Sequence, residues 1–172
     1  LFARRRAHWQ DNWPFLKLIR AQHNAPGQIL WKGQAAGTLF PVTEFYAAVG
    51  REVVIFGSGP SLRSQDVARI VASAALLVNG AVTLMPRLQG AFAIAVEDER
   101  FVWRHFGNML QQLPRDPVFL LSPSVIRAVL SHDASWCDGR RIVLIDNLYK
   151  PFDGWRLLLW AAAAGQSLPL VL

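Results

Sequence analysis

From residue 51 onward, short continuous apolar runs alternate with segments in which apolar residues recur at helical spacing. Five runs have the length of a strand buried on both faces: residues 52–57, 74–80, 91–98, 117–122 and 140–146. Continuous apolar strands separated by helical segments are typical of a parallel sheet that is covered on both sides. We therefore predict an α/β fold with a Rossmann-like, doubly wound, mostly parallel sheet of about five strands and flanking helices.

The first 50 residues follow a different pattern. Trp13, Leu16 and Arg20 fall near one face of a helix, which Pro14 interrupts. Residues 42–50 predict a short helix that ends at a glycine. The pattern therefore predicts an amphipathic, partly helical segment before the sheet begins.

This change of pattern predicts two parts of the chain. Residues 1–50 would form an N-terminal helical and loop lead-in, and residues 51–172 a Rossmann-like nucleotide-binding domain. The last segment, 157–172, is apolar but shorter than the roughly 20 residues that span a bilayer. Because the chain stops within apolar sequence, we expect that the domain is truncated at its C-terminus.

Composition and charge narrow the class of partner. Hydrophobic residues make up 52% of the 172-residue chain and charged residues 17%, which excludes a disordered chain. The net charge of +6 favours anionic partners, but the sequence carries no nucleic-acid-binding signature. A single cysteine, Cys137, excludes an internal disulfide framework and fits a reducing compartment. We expect a cytoplasmic protein, with peripheral contact to the inner membrane as an option, and no metal site.

Candidate binding residues follow the first predicted strand in the run Gly57, Ser58, Gly59, Pro60 and Ser61. Two glycines let the backbone approach a phosphate closely, and the next helix would offer its free N–H groups. The serine hydroxyls would add further donors. The sequence therefore predicts a phosphate-binding turn here, against the alternative of a ligand-free strand-to-helix turn.

Two departures argue against a dinucleotide. The dinucleotide fingerprint requires a third glycine where Leu62 stands, and an acidic residue where Asn79 closes the second strand. No Gly-Lys-Ser/Thr sequence follows the turn, which excludes a P-loop. Asn79 suits a phosphate oxygen, a ribose hydroxyl or a sugar hydroxyl, or is simply a turn residue.

Three stretches, VVIFGSGPSL, LLVNGAV and AFAIAVEDERFV, together resemble the nucleotide-sugar-binding half of the sialyltransferase-like bacterial glycosyltransferases. That group includes CMP-sialic-acid-dependent enzymes and, more distantly, CMP-Kdo-dependent transferases of lipopolysaccharide and capsule assembly. The resemblance implies a CMP-activated sugar as donor, an anionic or lipid-linked glycan as acceptor, and no cofactor or metal. It also implies that the residue 57–61 turn holds the CMP phosphate and ribose, and that Asn79 contacts phosphate or sugar.

Glu97 and Glu99 are the candidate catalytic residues. If the segment is extended, the two carboxylates lie on the same side and could bind the acceptor or deprotonate its hydroxyl. The alternative is a negatively charged first helical turn, which the helix dipole stabilises. The transferases that the chain resembles carry a catalytic His in a later segment, and no stretch here matches it, so this chain is expected to lack catalytic machinery.

Two other functions stay open. A related group with a similar Gly-x-Gly-Pro-Ser turn includes pterin pyrophosphokinase-like enzymes, for which Glu97, Asp98, Glu99 and Asp146 would have to hold magnesium. A catalytically silent nucleotide-binding module is the third possibility, because the later catalytic segment finds no match.

Overall fold

The computed structural model describes residues 12–22, 25–50, 52–67, 74–88 and 91–145. These residues form a nine-stranded mixed sheet in the order β1-β2-β3-β4-β9-β8-β7-β6-β5. The strands are β1 (Asn12–Trp13), β2 (Leu16–Ile19), β3 (Gly27–Trp31), β4 (Gln34–Phe40), β5 (Val54–Phe56), β6 (Ala74–Val78), β7 (Ala91–Val96), β8 (Val118–Leu121) and β9 (Arg141–Leu144).

Three α-helices and three 3₁₀ segments connect the strands within the described residues. The α-helices are α1 (Val42–Val49), α2 (Glu99–His105) and α3 (Pro123–His132). The 3₁₀ segments are Pro60–Ser64, Asn79–Arg87 and Leu110–Gln112. Side chains cap two of the α-helices at their N-termini: Asp98 accepts a hydrogen bond from Arg100 N in α2, and Ser122 accepts one from Val125 N in α3.

All five apolar runs predicted as strands are strands, each slightly shorter than its run. They pair in parallel from β5 to β9, and buried side chains such as Leu76, Leu77 and Phe119 point alternately to both faces. This explains why the runs of β6, β7 and β8 show no polar alternation, because both faces of these central strands are covered. The α/β class is confirmed.

The prediction of a five-stranded Rossmann sheet is wrong in size and in strand order: the sheet has nine strands and is antiparallel in part. β5 to β9 lie side by side in chain order, whereas a Rossmann sheet reverses its strand order in the middle. β4 lies next to β9, so the chain crosses the whole parallel sheet between β4 and β5 and then returns one strand at a time. Apolar runs reveal that strands exist, but they carry no information on strand order.

The helices cover opposite faces of the sheet, according to the direction in which the chain crosses from strand to strand. Phe45 and Val49 of α1 pack in one core with Leu76 and Leu120. The buried residues of α2 and α3 pack in a separate core with side chains of the opposite face, among them Phe119. Right-handed crossovers require this division, because a chain that reverses its direction across a sheet must change face.

The N-terminal lead-in is a β-meander rather than a helix. β1 to β4 pair in antiparallel fashion, and β4 joins the parallel strands through β9. In β2, Leu16 and Leu18 are buried whereas Lys17 and Ile19 are exposed, which is the period of a strand. The helical prediction failed because the spacing of Trp13, Leu16 and Arg20 also occurs across a turn.

Several predicted helices are shorter or tighter than expected. The α-helix after β7 is short: it ends at His105 and is followed by a turn that contains Gly107. The stretch after the glycine turn begins as the 3₁₀ segment Pro60–Ser64, and residues 68–73 lie outside the described residues. Asp146, the 157–172 segment and the first eleven residues lie outside them as well.

Within the described residues, no helix combines the length and the apolar character that crossing a membrane requires.

Candidate functional site

The predicted glycine turn lies at the carboxyl end of β5, which is an edge strand. Gly57, Ser58 and Gly59 are exposed there. A Cβ built on Gly57 would meet no atom within 4 Å, and one on Gly59 would meet only Ser61 Oγ at 3.8 Å. Neither packing nor a positive φ requires these two glycines, so the space beside their backbone is open to a ligand.

The turn packs directly against the loop that follows β6. A Cβ built on Gly80 would lie 3.1 Å from Ser58 Cβ and 3.7 Å from Ser58 Oγ, and 3.9 Å from a ring carbon of Phe101. Only a glycine fits this approach without a shift of its neighbours. The structure thus brings together two segments that the sequence marked separately, the glycine turn and the Asn79–Gly80 pair.

Asn79, which precedes Gly80, has an unusual backbone conformation and an unpaired side-chain oxygen. Its φ is 49°, in the left-handed region that asparagine tolerates better than most residues. Its side-chain Oδ1 is buried and has no hydrogen-bond partner. A carbonyl oxygen can only accept a hydrogen bond, so the group that would satisfy it must be a donor, such as a hydroxyl or an amino group. A phosphate oxygen does not meet that requirement.

The candidate catalytic acids follow β7, two strands away from the glycine turn. Strands in a sheet lie about 4.8 Å apart, which puts the ends of β5 and β7 roughly 10 Å from each other. Asp98 caps α2, and Glu99 is the first residue of that helix, so the segment is not extended through all three acids. The Glu97 side chain is half-buried at the strand end.

Glu99 is held in an ion pair. Its Oε2 lies 3.2 Å from Arg127 Nη2, and both side chains are about one-third exposed. The guanidinium of Arg127 in turn stacks on the ring of Trp13, 4.1 Å from its centroid. Deprotonation of an acceptor by Glu99 would therefore require breaking this ion pair.

Sequence reasoning missed Arg127 and Trp13 as neighbours of the acidic segment. Trp13 belongs to β1 and Arg127 to α3, far apart along the chain, and no local pattern links them. They come together because the meander packs against the face of the sheet that α3 covers, where Trp31 and Val125 belong to the same core. The pair ties the N-terminal strands to the edge that holds the candidate site.

Ser122 joins the ends of β7 and β8. Its hydroxyl donates to the carbonyl oxygen of Glu97 at 2.9 Å and accepts from Val125 N at 3.2 Å, and it lies 3.0 Å from Ser124 Oγ. The Ser122 side chain is fully buried. One hydroxyl therefore fixes both the start of α3 and the backbone position of Glu97.

The two histidines of the helical face pack against aromatic rings. His105 lies 4.8 Å from the ring of Phe101, and its Nδ1 is buried without a hydrogen-bond partner. His132 stacks on Phe106 at 4.6 Å and lies 4.7 Å from Trp103. Both histidines therefore pack among aromatic side chains.

Cys137, the described residue with a large pKa shift, lies away from the edge that holds the glycine turn. Burial raises the pKa of the Cys137 thiol to about 12, with Arg140 opposing and Asp133 adding to the effect. Cys137 packs against β4, where a Cβ built on Gly37 would lie 2.8 Å from Cys137 Cβ. This buried thiol is therefore a packing residue.

In the described part of the chain, no group of three or more His, Cys, Asp or Glu side chains is arranged to hold a metal ion. Asp146, which the sequence offered as a magnesium ligand, lies outside that part.

Comparisons of the chain with protein-family models, with curated proteins and with solved structures found no match.

Proposed function

We propose that the loops after β5 and β6 bind a nucleotide-activated sugar, with CMP as the nucleotide, and that the chain is a glycosyltransferase domain of bacterial cell-envelope polysaccharide synthesis. The observation that carries the proposal is the contact of Ser58 with Gly80 beside the buried, unsatisfied Oδ1 of Asn79. A turn with two open glycines lies beside an unpaired hydrogen-bond acceptor, and a nucleotide sugar offers both a phosphate and hydroxyl donors.

Each part of the ligand then has a partner. The backbone of Gly57 and Gly59 would approach the phosphate, and the Ser58 and Ser61 hydroxyls would donate to its oxygens. Asn79 Oδ1 would accept from a ribose hydroxyl, a sugar hydroxyl or the cytosine amino group. A single phosphate on CMP needs less charge compensation than a diphosphate, and the net charge of +6 supports an anionic ligand.

Transfer would proceed by departure of CMP from the sugar, which leaves an oxocarbenium-like carbon. The acceptor hydroxyl attacks this carbon and loses its proton to a base. Glu97 and Glu99 are the candidate bases. They follow the end of β7, which lies two strands, or roughly 10 Å by strand spacing, from the end of β5, and this leaves room for the sugar. As the base, Glu99 would first have to break its ion pair with Arg127.

The glycine turn lies at the edge of the sheet, whereas Rossmann enzymes bind their ligands where the strand order reverses. In open α/β sheets ligands bind where connections of neighbouring strands leave to opposite faces. Here the connection after β4 leads to α1 on one face, and the connection after β8 leads to α3 on the other. The glycine turn is instead at the β5 edge, so the proposal rests on the local geometry of the two loops and not on topology.

Calorimetric titration of the chain with CMP, CDP, ATP and NAD, each with and without magnesium, tests the proposal. We expect CMP to bind without magnesium. The Gly59→Val variant should lose this binding while remaining folded, because its Cβ would meet only Ser61 Oγ at 3.8 Å. Gly107→Val is the matched control, since Gly107 also has nothing within 4 Å and lies at the far end of α2.

Each other outcome would contradict the proposal in its own way. ATP binding that depends on magnesium would favour pyrophosphoryl transfer. Failure of all four nucleotides to bind would refute a nucleotide site. CMP binding without release of CMP from CMP-sialic acid or CMP-Kdo, in the presence of a lipopolysaccharide acceptor, would indicate a silent nucleotide-binding module.

A further inference from the structure

Two hairpin turns lie side by side at one end of the β-meander. The β1–β2 turn consists of Pro14 and Phe15, and the β3–β4 turn consists of Lys32 and Gly33. The backbone N–H of Lys32 donates to the carbonyl oxygen of Phe15 at 2.7 Å, which joins the turns into one structure. We call these four residues the hairpin tip.

Two residues of the hairpin tip, Phe15 and Lys32, have a positive φ, which is unfavourable for a residue other than glycine. Phe15 has a φ of 70° and Lys32 a φ of 51°. A proline followed by a positive φ is the pattern of a type II turn, in which glycine or asparagine normally takes the second position. Positive φ at both Lys32 and Gly33 is the pattern of a type I′ turn, which favours asparagine and glycine. A bulky aromatic in this region is an outlier of the kind that functional sites retain.

The side chains of the hairpin tip project an apolar ring with a cation beside it. Phe15 is 66% exposed, the highest value among the large apolar side chains of the described residues. Its ring meets that of Trp31 edge to face at 6.2 Å, and Lys32 Nζ lies 5.9 Å from the centroids of both rings. Lys17 is exposed on β2, close behind the turn.

We propose that the hairpin tip is a membrane anchor that inserts Phe15 into the headgroup region of an anionic lipid bilayer. Aromatic rings lie favourably at the boundary between headgroups and acyl chains, and lysines beside them attract anionic lipids. Lys32 and Lys17 supply that complementary charge, and Phe15 supplies the buried ring. The inference is independent of the nucleotide site, which lies on the other edge of the sheet.

The shape of the tip favours a bilayer over a protein partner. A stable protein interface buries roughly 800 Å² on each side and has a central, well-packed anchor surrounded by other contacts. Two turns of two residues each offer far less area than that. A bilayer, in contrast, accepts a single protruding ring together with nearby cations.

Co-sedimentation of the whole chain with lipid vesicles tests the proposal. One vesicle preparation is phosphatidylcholine alone, and the other also contains phosphatidylglycerol. We expect binding to the anionic vesicles to fall about tenfold in Phe15→Gly, which loses a buried aromatic side chain. It should fall about fivefold in Lys32→Asn, which loses one cation but keeps the turn. Ile55→Ala is the matched control, since Ile55 is 59% exposed on β5 at the opposite edge.

Thermal unfolding separates a membrane role from a packing role. Glycine takes a φ of 70° without strain, so Phe15→Gly should unfold at the same or a higher temperature than the unchanged chain. A lower unfolding temperature would show that the ring stabilises the fold and would overturn the proposal. Undiminished vesicle binding by Phe15→Gly, equal loss in Ile55→Ala, equal binding to both vesicle types, or tip-dependent binding only to a soluble anionic polysaccharide would overturn it as well.

Discussion

Ser58 packs so closely on Gly80 that a methyl group added to Gly80 would lie 3.1 Å from Ser58 Cβ. The two residues belong to loops that follow neighbouring strands, and their contact fixes how the glycine turn sits above β6. Whatever binds at this edge therefore meets both loops as one surface.

The Gly80→Ala substitution is expected to separate these loops. The added methyl must displace Ser58 or Phe101, and such overpacking costs about 1 kcal/mol or more of the free energy of unfolding. Urea denaturation measures the loss. Gly57→Ala is the control, because its Cβ would meet no atom within 4 Å. Equal stability of the two variants would show that the contact is loose.

Replacement of Asn79 by glycine should separate binding from stability. Glycine adopts a φ of 49° freely, and the variant no longer buries an unsatisfied carbonyl oxygen, so stability should stay within about 0.5 kcal/mol or rise. Loss of one hydrogen bond should weaken CMP binding about tenfold. Calorimetry on both variant and unchanged chain measures the two quantities, and unaltered affinity would exclude Asn79 from the site.

Ser122→Ala removes the N-terminal cap of α3 and the hydrogen bond to Glu97 O in a single step. Because Ser122 is fully buried, its former partners gain no water, and we expect a loss of about 2 kcal/mol. Ser124→Ala, which removes only the contact with Ser122 Oγ, should cost much less. Chemical denaturation of both variants checks this ranking, and the reverse ranking would refute it.

The buried thiol of Cys137 predicts a fall in stability at high pH. Its pKa is raised from 9.0 to about 12 by burial, so the unfolded chain releases the proton at lower pH than the folded chain. The stability from this group is complete below pH 9.0 and decreases as the pH rises toward about 12. Urea midpoints measured across this range should fall more in the unchanged chain than in Cys137→Ala. A thiol reagent that reacts with the folded chain at neutral pH would contradict the burial.

The sequence predicted the parallel part of the fold well, for a physical reason. A strand buried on both faces must be apolar throughout, so runs such as 91–98 and 117–122 are visible in the sequence. The helix 42–50 was also predicted correctly, since Gly50 takes a φ of 67° and ends it. These features depend on local chemistry alone.

Features that depend on distant contacts were not predictable. The meander begins with the two-residue strand β1 and the four-residue strand β2. Strands this short do not show enough alternation of apolar and polar residues to be distinguished from a helix. The contact of Arg127 with Trp13 depends on how the meander packs against α3, and the ion pair of Arg127 with Glu99 depends on how α2 and α3 pack together. Of the predicted site residues, the glycine turn and Asn79 come together, whereas Glu99 is occupied by an ion pair.

The place of β9 between β4 and β8 has a consequence for how the molecule assembles. β4 pairs with β9 at only two positions, Leu39 with Ile142 and Phe40 with Val143, and in the described residues no other strand connects the meander to the parallel layer. Since β9 comes last among the strands of the described residues, a nascent polypeptide cannot close this sheet until residue 144 has left the ribosome. Until then both β4 and β8 present open edges to solvent or to a chaperone.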